Sequence, residues 1–161
     1  MRQNFGLSDL RKNKMDRIAI ASDHAGFEYK EKIKLFFHQI GIDSEDFGTY
    51  SIECVDYPDY AHLVSDIISQ GKYNRGILIC GTGIGMSITA NKHKGIRAAV
   101  CESVEAAKLS RMHNDANILC LGARITPWER VEEIINVFLN TKFEGGRHQK
   151  RIEKIHKITG I

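Results

Sequence analysis

A continuous apolar run that ends in a glycine-rich turn constrains the fold of this chain more than any other segment. Residues 76–80 show no alternation of apolar and polar side chains, which is typical of a parallel strand buried on both faces. Three alternating glycines follow at once, at Gly81, Gly83 and Gly85, and a helical stretch to about Lys92 comes after them. The segment therefore predicts a buried strand, a tight turn and a helix in direct succession.

Short apolar runs and segments of helical period alternate along the rest of the chain as well. Besides the strand at 76–80, strands are predicted at 18–21, 43–47 (short and weak), 96–101 and 118–121. Further helices are predicted at 27–40, 59–70, 104–111, after Thr126-Pro127 with Pro127 at the first helical position, and at 147–157. This order predicts an α/β protein, a three-layer Rossmann-like fold with a five-stranded, mainly parallel sheet.

Ligands of such folds bind beyond the carboxyl ends of the strands. We therefore expect three segments to gather at one edge of the sheet: Asp23-His24, Cys80 with its glycines, and the loop before Asn117. That edge is where the chemistry is expected.

Length and composition indicate one soluble globular domain. The chain has 161 residues, of which 42% are hydrophobic and 27% charged, so we expect a single domain over residues 15–161. Residues 1–14 are polar and lack the apolar segment of a signal peptide, and we expect them to be a disordered extension. A net charge of +3 without interleaved basic and aromatic residues argues against nucleic acid as a partner. No apolar run approaches the roughly 18 residues of a membrane span.

The four cysteines do not follow the spacing of a metal or redox motif. None forms a C-x-x-C pair, and without a signal peptide we expect free thiols in a reducing cytoplasm. Cys101 and Cys120 are interpreted as small buried hydrophobic residues. Cys80 differs because it directly precedes the glycine turn, whose backbone N–H groups favour an anion and a thiolate. The residues alone leave open whether Cys80 is a nucleophile or a proton shuttle.

The glycine turn also fits other interpretations. A dinucleotide fingerprint needs glycine at position 86, where this chain has Met86, which we assign to packing. Glu102 nevertheless stands where a ribose-binding acid is expected, so a nucleotide site stays open on spacing. The phosphate loop G-x-x-x-x-G-K-[ST] is absent, which argues against a nucleoside triphosphatase. A purely structural turn is the remaining interpretation.

Several polar residues outside the turn each have two interpretations. Asp23-His24 is either a titratable, phosphate-binding pair or a helix cap, and His113 is either a site residue or a charge at a helix end. Arg147 and Arg151 are four residues apart, a spacing that fits a phosphate clamp or a solvated basic face. Arg124 follows the fifth strand and could reach the same crevice.

Taken together, six ordered motifs resemble the type B ribose-5-phosphate isomerase family, which is related to the galactose-6-phosphate isomerase subunits. The resemblance extends over about residues 17–155. The motifs are Ser22-Asp23-His24-Ala25-Gly26, Asp56-Tyr57-Pro58, Cys80-Gly81-Thr82-Gly83-Ile84-Gly85, Ser110-Arg111-Met112-His113-Asn114-Asp115, Gly122-Ala123-Arg124 and Glu144-Gly145-Gly146-Arg147-His148-Gln149-Lys150-Arg151.

The resemblance implies the interconversion of D-ribose 5-phosphate and D-ribulose 5-phosphate in the cytoplasm, in the non-oxidative branch of the pentose phosphate pathway. It implies no metal and no organic cofactor. It also implies a homodimer or homotetramer with shared active sites, in which the C-terminal helix packs on a partner subunit and the partner supplies some of the arginines.

The resemblance also assigns roles to individual residues. Cys80 would be the base, the amides of Gly81 through Gly85 would stabilise the enediolate oxygens, and His113 would help to open the sugar ring. The catalytic group so implied is Cys80, His113, Asp23 and Thr82. The substrate-binding group so implied is His24, Tyr57, Gly81, Gly83, Ile84, Gly85, Asn114, Arg124, Arg147 and Arg151. Family members with serine in place of the cysteine use a glutamate further along the loop, and no acid stands near Gly85 here.

Three alternatives remain at this stage. The first is an isomerase of a six-carbon sugar phosphate, such as allose 6-phosphate or galactose 6-phosphate. The second is a non-catalytic module that binds phosphate or a nucleotide at the same turn. The third is a redox sensor at Cys80, for which the spacing of the other cysteines offers no resolving thiol.

Overall fold

Five strands form one parallel sheet in the order β2-β1-β3-β5-β4. The computed structural model describes residues 17–161, so the expectation for residues 1–14 lies outside the described part. The strands are β1 (Ile18–Ser22), β2 (Ser44–Asp46), β3 (Arg75–Cys80), β4 (Ala98–Val100) and β5 (Ile118–Gly122). All four strand pairs are parallel, so the predicted fold class is confirmed and the sheet is wholly rather than mainly parallel.

Six helices accompany the strands: α1 (Phe27–Ile40), α2 (Tyr57–Ser69), α3 (Ile84–Ala90), α4 (Val104–Asn114), α5 (Trp128–Asn140) and α6 (Arg147–Thr159). Helices α1, α4 and α5 cover one face of the sheet, where residues such as Phe37 and Ile134 pack on Ile20 and Leu119. Helices α2 and α3 cover the other face around Leu78. The core therefore has two halves, one on each side of β3 and β5.

Two predicted boundaries differ from the structure for physical reasons. The segment 96–101 was expected to be a buried strand, but only Ala98–Val100 pair in the sheet, and they are half-buried. The reason is that β4 lies at the sheet edge and has β5 as its neighbour on one side only. Pro127 was expected inside the first turn of α5, but its ψ is 142°, so the helix begins one residue later at Trp128.

Lys30 is a fully buried charged side chain that ties α1 to the end of β2. Its Nζ lies 2.5 Å from Asp46 Oδ2 and 3.0 Å from Glu31 Oε1, and Lys34 approaches Asp46 Oδ2 to 2.6 Å. The other Asp46 oxygen accepts a hydrogen bond from the N–H of Gly48 at 2.9 Å. This network fixes the start of the loop that leads towards Val55.

Each of the four cysteines carries a free thiol, as expected. Met86 is fully buried in the core, in keeping with its assignment to packing. Within residues 17–161, no helix combines the length and the apolar character needed to cross a membrane.

Candidate active site

Cys80 ends β3, and the glycine turn folds back over its sulfur. The Gly83 N–H donates a hydrogen bond to Cys80 Sγ at 3.1 Å. Gly83 has φ +77°, and a Cβ there would lie 3.0 Å from the backbone carbonyl carbon of Leu121, so the turn requires glycine at this position. A hydrogen bond of this kind is stronger when the sulfur carries negative charge. The turn therefore provides a backbone donor for the Cys80 sulfur.

The other buried cysteines are in different surroundings. Burial raises the pKa of Cys101 to about 11, and burial also raises the pKa of Cys120 well above its usual value. Both thiols therefore stay protonated at neutral pH and serve as packing residues, in line with the interpretation from the sequence.

Asp23 and His24 lie at the neighbouring end of β1. The Asp23 N–H donates to the Ile79 carbonyl at 3.1 Å, which places Asp23 beside the end of β3. Its carboxylate accepts the Gly26 N–H at 3.0 Å, which closes the turn before α1. The N-cap of α1 is Gly26 and has no side-chain cap, so the capping interpretation is wrong. His24 Nδ1 lies 3.2 Å from both the N and the O of Val55. When Nδ1 accepts the Val55 N–H, the ring proton is on Nε2, which has no hydrogen-bond partner among residues 17–161.

Tyr57 and Arg124 flank the glycine turn. Tyr57 begins α2, and a Cβ on Gly85 would lie 2.6 Å from the tyrosine ring, so the ring rests directly on the turn. The Arg124 N–H donates to the Gly81 carbonyl at 3.0 Å, and its guanidinium packs against Gly81. Exposed side chains complete this surface, which we call the carboxyl-edge group. It consists of Asp23, His24, Tyr57, Cys80, Gly81, Thr82, Gly83, Ile84, Gly85 and Arg124.

The remaining predicted site residues lie at the opposite edge of the sheet. Asn117 accepts the Gly76 N–H at its carbonyl oxygen, and Gly76 pairs with Ile118, so the loop before Asn117 lies at the amino ends of β3 and β5. Four residue steps of roughly 3.3 Å along β3 give about 13 Å between this edge and Cys80. The expectation that this loop gathers with Cys80 in the same chain is therefore wrong.

The reason is the direction of α4, which runs antiparallel to the strands that it connects. Its last turn, with His113 and Asn114, therefore ends at the amino edge. Arg147 and Arg151 stand one turn apart on α6, and both are exposed. Neither arginine has a carboxylate within 4.0 Å among residues 17–161. The set of His113, Asn114, Arg147 and Arg151 is called the amino-edge group below.

Two further residues, to which the sequence assigned no role of their own, join the amino-edge group in the structure. His148 is buried and stacks on His113, and Glu144 Oε2 lies 3.4 Å from His148 Nε2. Both stand in the sixth motif of the family resemblance, four residues apart around Gly145-Gly146. That spacing alone could not indicate contact with His113, which comes from another helix.

Comparison with known proteins yields consistent matches. The family model described as Ribose/Galactose Isomerase matches residues 18–155. Ribose-5-phosphate isomerase B of Escherichia coli (strain K12) is 46% identical over 144 residues, covering 89% of this chain and 97% of that protein. D-erythrulose-4-phosphate isomerase of Pectobacterium atrosepticum is 42% identical over 139 residues, covering 86% of this chain and 91% of that protein. The structure of Clostridium thermocellum ribose-5-phosphate isomerase B superposes with a TM-score of 0.88 at 46% identity, covering 89% of this chain and 97% of that one.

Proposed function

We propose that this chain, which belongs to the ribose/galactose isomerase family, interconverts D-ribose 5-phosphate and D-ribulose 5-phosphate through an enediolate with Cys80 as the base. The observation that carries the proposal is the Gly83 N–H that donates to Cys80 Sγ at 3.1 Å. The high identity to a ribose-5-phosphate isomerase B supports the choice of substrate. We further assign the reaction to the non-oxidative branch of the pentose phosphate pathway in the cytoplasm, without metal or organic cofactor.

The chemistry needs a base near the operating pH and donors for the charge that moves onto oxygen. Cys80 would remove the proton from C2 of the open-chain aldose, so that the electron pair forms the C1–C2 double bond and the carbonyl electrons move onto O1. The backbone N–H groups from Gly81 through Gly85 would stabilise this oxygen. Return of the proton from Cys80 to C1 then gives the ketose, and the proton lost from O2 reaches O1 directly or through solvent.

The residues of the carboxyl-edge group would bind the sugar end. Asp23 lies at the neighbouring strand end, Thr82 and Tyr57 border the turn, and His24 offers Nε2 to a substrate oxygen. Arg124 supplies a positive charge beside Gly81. The site so assembled lacks two parts. It has no group assigned to open the sugar ring, and within residues 17–161 Arg124 is its only arginine for the phosphate.

A second copy of the chain would supply those missing parts. The amino-edge group contains the ring-opening His113, the hydroxyl-binding Asn114 and the phosphate-binding Arg147 and Arg151, but it lies at the far edge of the sheet. Each active site would therefore combine the carboxyl-edge group of one chain with the amino-edge group of another. This supports a homodimer, or a homotetramer built from such dimers.

Exposed apolar side chains next to the glycine turn support the same assembly. Ile84 and Ile88 lie four residues apart on one face of α3 and are 51% and 59% exposed, and Leu63 on the adjacent α2 is 46% exposed. Covering a fully exposed side chain of this type contributes roughly 1.5–3 kcal/mol. A partner chain that approaches the turn would cover this face while it delivers His113.

The direct test is turnover by metal-free protein of ribose 5-phosphate, allose 6-phosphate, galactose 6-phosphate and erythrose 4-phosphate. We expect ribose 5-phosphate to be the preferred substrate. Cys80→Ala should lower its turnover by a hundred-fold or more, about the value of a general base. Cys54→Ala, which removes an exposed thiol, is the control and should match wild type. Phosphate binding without turnover of any sugar would indicate a binding module instead.

The shared site can be tested by mixing two variants whose activity is strongly reduced. Cys80→Ala disables the carboxyl-edge group and His113→Gln disables the amino-edge group. If the site is shared, each mixed dimer contains one intact site, and unfolding and refolding the mixture should recover about a quarter of wild-type activity. If each chain formed its own site, every site would carry one substitution and the mixture would stay inactive.

A further inference from the structure

Two histidine rings stack face to face in the amino-edge group. His113, in the last turn of α4, and His148, in the first turn of α6, have ring centroids 4.3 Å apart and an interplanar angle of 11°. His113 is half-buried, whereas His148 is only 5% exposed. His148 therefore faces inward and presents one ring face to His113.

The segment that carries His148 is fastened to α4 by its backbone. The Glu144 N–H donates to the Met112 carbonyl at 3.1 Å, and the His148 N–H donates to the Gly145 carbonyl at 3.0 Å. Glu144 Oε2 lies 3.4 Å from His148 Nε2. Both the backbone and the side chain of His148 are thus fixed relative to the turn that presents His113.

A metal site is the first alternative, because ligand atoms of His113, Glu144 and His148 lie within 4.8 Å of one another. An imidazole binds a metal through a lone pair that lies in the plane of its ring. The two rings here are stacked at an interplanar angle of 11°, so their in-plane lone pairs run nearly parallel and do not converge on one ion. The arrangement therefore fits an aromatic platform, in which the His148 ring supports the His113 ring by stacking, better than a metal centre.

The surroundings of His148 favour the neutral form of its ring. Its pKa lies below the usual value, first because burial removes solvent and then because His113, Arg147 and Arg151 place positive charge nearby, while Glu144 acts in the opposite direction. A neutral His148 ring can stack closely on the His113 ring, whereas two charged rings would repel each other. The stacking restricts the orientation of the His113 ring.

We propose that His148 is a positioning residue whose stacked ring holds the His113 imidazole in the orientation from which it opens the sugar ring. This inference rests on the proposed function, because it takes the role of His113 from there. His148 acts through His113 and not by contact with the substrate. A flat apolar ring should therefore replace it better than a branched side chain does.

The test uses three variants of the full-length protein and ribose 5-phosphate as substrate. We expect His148→Leu to lower kcat by about ten- to a hundred-fold, the usual cost of a misplaced catalytic group. His148→Phe should restore kcat to within about three-fold of wild type, and KM should change little in both variants. Gln149→Leu, an exposed neighbour on α6, is the matched control and should behave as wild type.

A double variant separates positioning from a direct role. In a His113→Gln background, His148→Leu should cause no further loss, because its only effect passes through His113. An additional loss, a His148→Phe variant as impaired as His148→Leu, or a raised KM at unchanged kcat would each overturn the inference.

Nuclear magnetic resonance of the His113 ring protons gives a readout that needs no substrate. Stacking shifts these protons upfield, and the shift should persist in His148→Phe and disappear in His148→Leu. A wild-type protein that isomerises no sugar phosphate would refute the proposed function, whereas an unshifted His113 signal in wild type would refute the platform alone.

Discussion

Replacing Gly83 with alanine tests the glycine turn and its hydrogen bond to Cys80 in one step. Gly83 has φ +77°, a conformation that costs an alanine about 1–2 kcal/mol. Its new Cβ would also lie 3.0–3.2 Å from the backbone atoms of Leu121 in the central strand β5. Such overpacking costs a further ~1–3 kcal/mol, since the strand cannot easily move. We therefore expect the free energy of unfolding to fall by about 2–5 kcal/mol.

Gly71→Ala is the matched control. Gly71 has φ +72°, nearly the same conformation, but a Cβ there would have no described atom within 4 Å. The control thus carries the conformational cost without the close approach, and it lies away from Cys80. Calorimetry should show a lower melting temperature for both variants, at roughly 2–4 °C per kcal/mol, with the larger decrease for Gly83→Ala.

Activity should separate the two variants further. Displacement of the turn moves the Gly83 N–H away from Cys80 Sγ, and a hydrogen bond to a charged group contributes about 1.5–3 kcal/mol. If that bond acts in the transition state, kcat for ribose 5-phosphate should fall by roughly ten- to a hundred-fold in Gly83→Ala and not in Gly71→Ala. A Gly83→Ala variant with kcat within two-fold of wild type, or with the melting temperature of Gly71→Ala, would refute the reasoning.

Four further outcomes are expected. Lys30→Met should lower the free energy of unfolding in urea by about 3 kcal/mol, because it leaves the carboxylate of Asp46 with one ammonium partner fewer. Burial raises the pKa of Asp46, but hydrogen bonds from Lys30 and Lys34 outweigh this and lower it overall. The stability that ionised Asp46 contributes is therefore fully present above about pH 4 and is lost as the pH falls below that value. Urea titrations at decreasing pH should show a smaller loss of stability in Asp46→Asn than in wild type. Arg151→Ala should raise KM for ribose 5-phosphate while kcat changes little, since its charge would act on the phosphate throughout the reaction. Removal of residues 1–14 should change neither the melting temperature nor kcat.

Much of the fold could be predicted because the buried strands are continuous apolar runs without polar alternation. The segments 76–80 and 118–121 are continuous apolar runs, and the structure places both in the middle of the sheet. The segment 96–101 is also mainly apolar, although it contains Arg97, and its paired residues form a half-buried edge strand. Strand order decides which apolar run is central, and order depends on contacts between distant segments that periodicity does not encode.

The site was predictable only where a residue directly adjoins a strand end. Asp23 follows β1, Cys80 ends β3 and Arg124 lies two residues beyond β5, so a parallel sheet brings them to one edge. The rest of the neighbourhood depends on packing, such as the tyrosine ring of Tyr57 on Gly85 or the imidazole of His148 on His113. These contacts join different helices and leave no spacing signal in the sequence.

The position of His113, by contrast, follows from connectivity alone. A helix that links two parallel strands runs antiparallel to them, so its C-terminal end lies at the amino edge of the sheet. His113 belongs to the last turn of such a helix, whereas Cys80 ends a strand at the carboxyl edge. No rearrangement of loops can bring the two together within one chain while the sheet stays intact. If both residues act on one sugar, as the family membership leads us to propose, the strand–helix order itself requires a second copy of the chain.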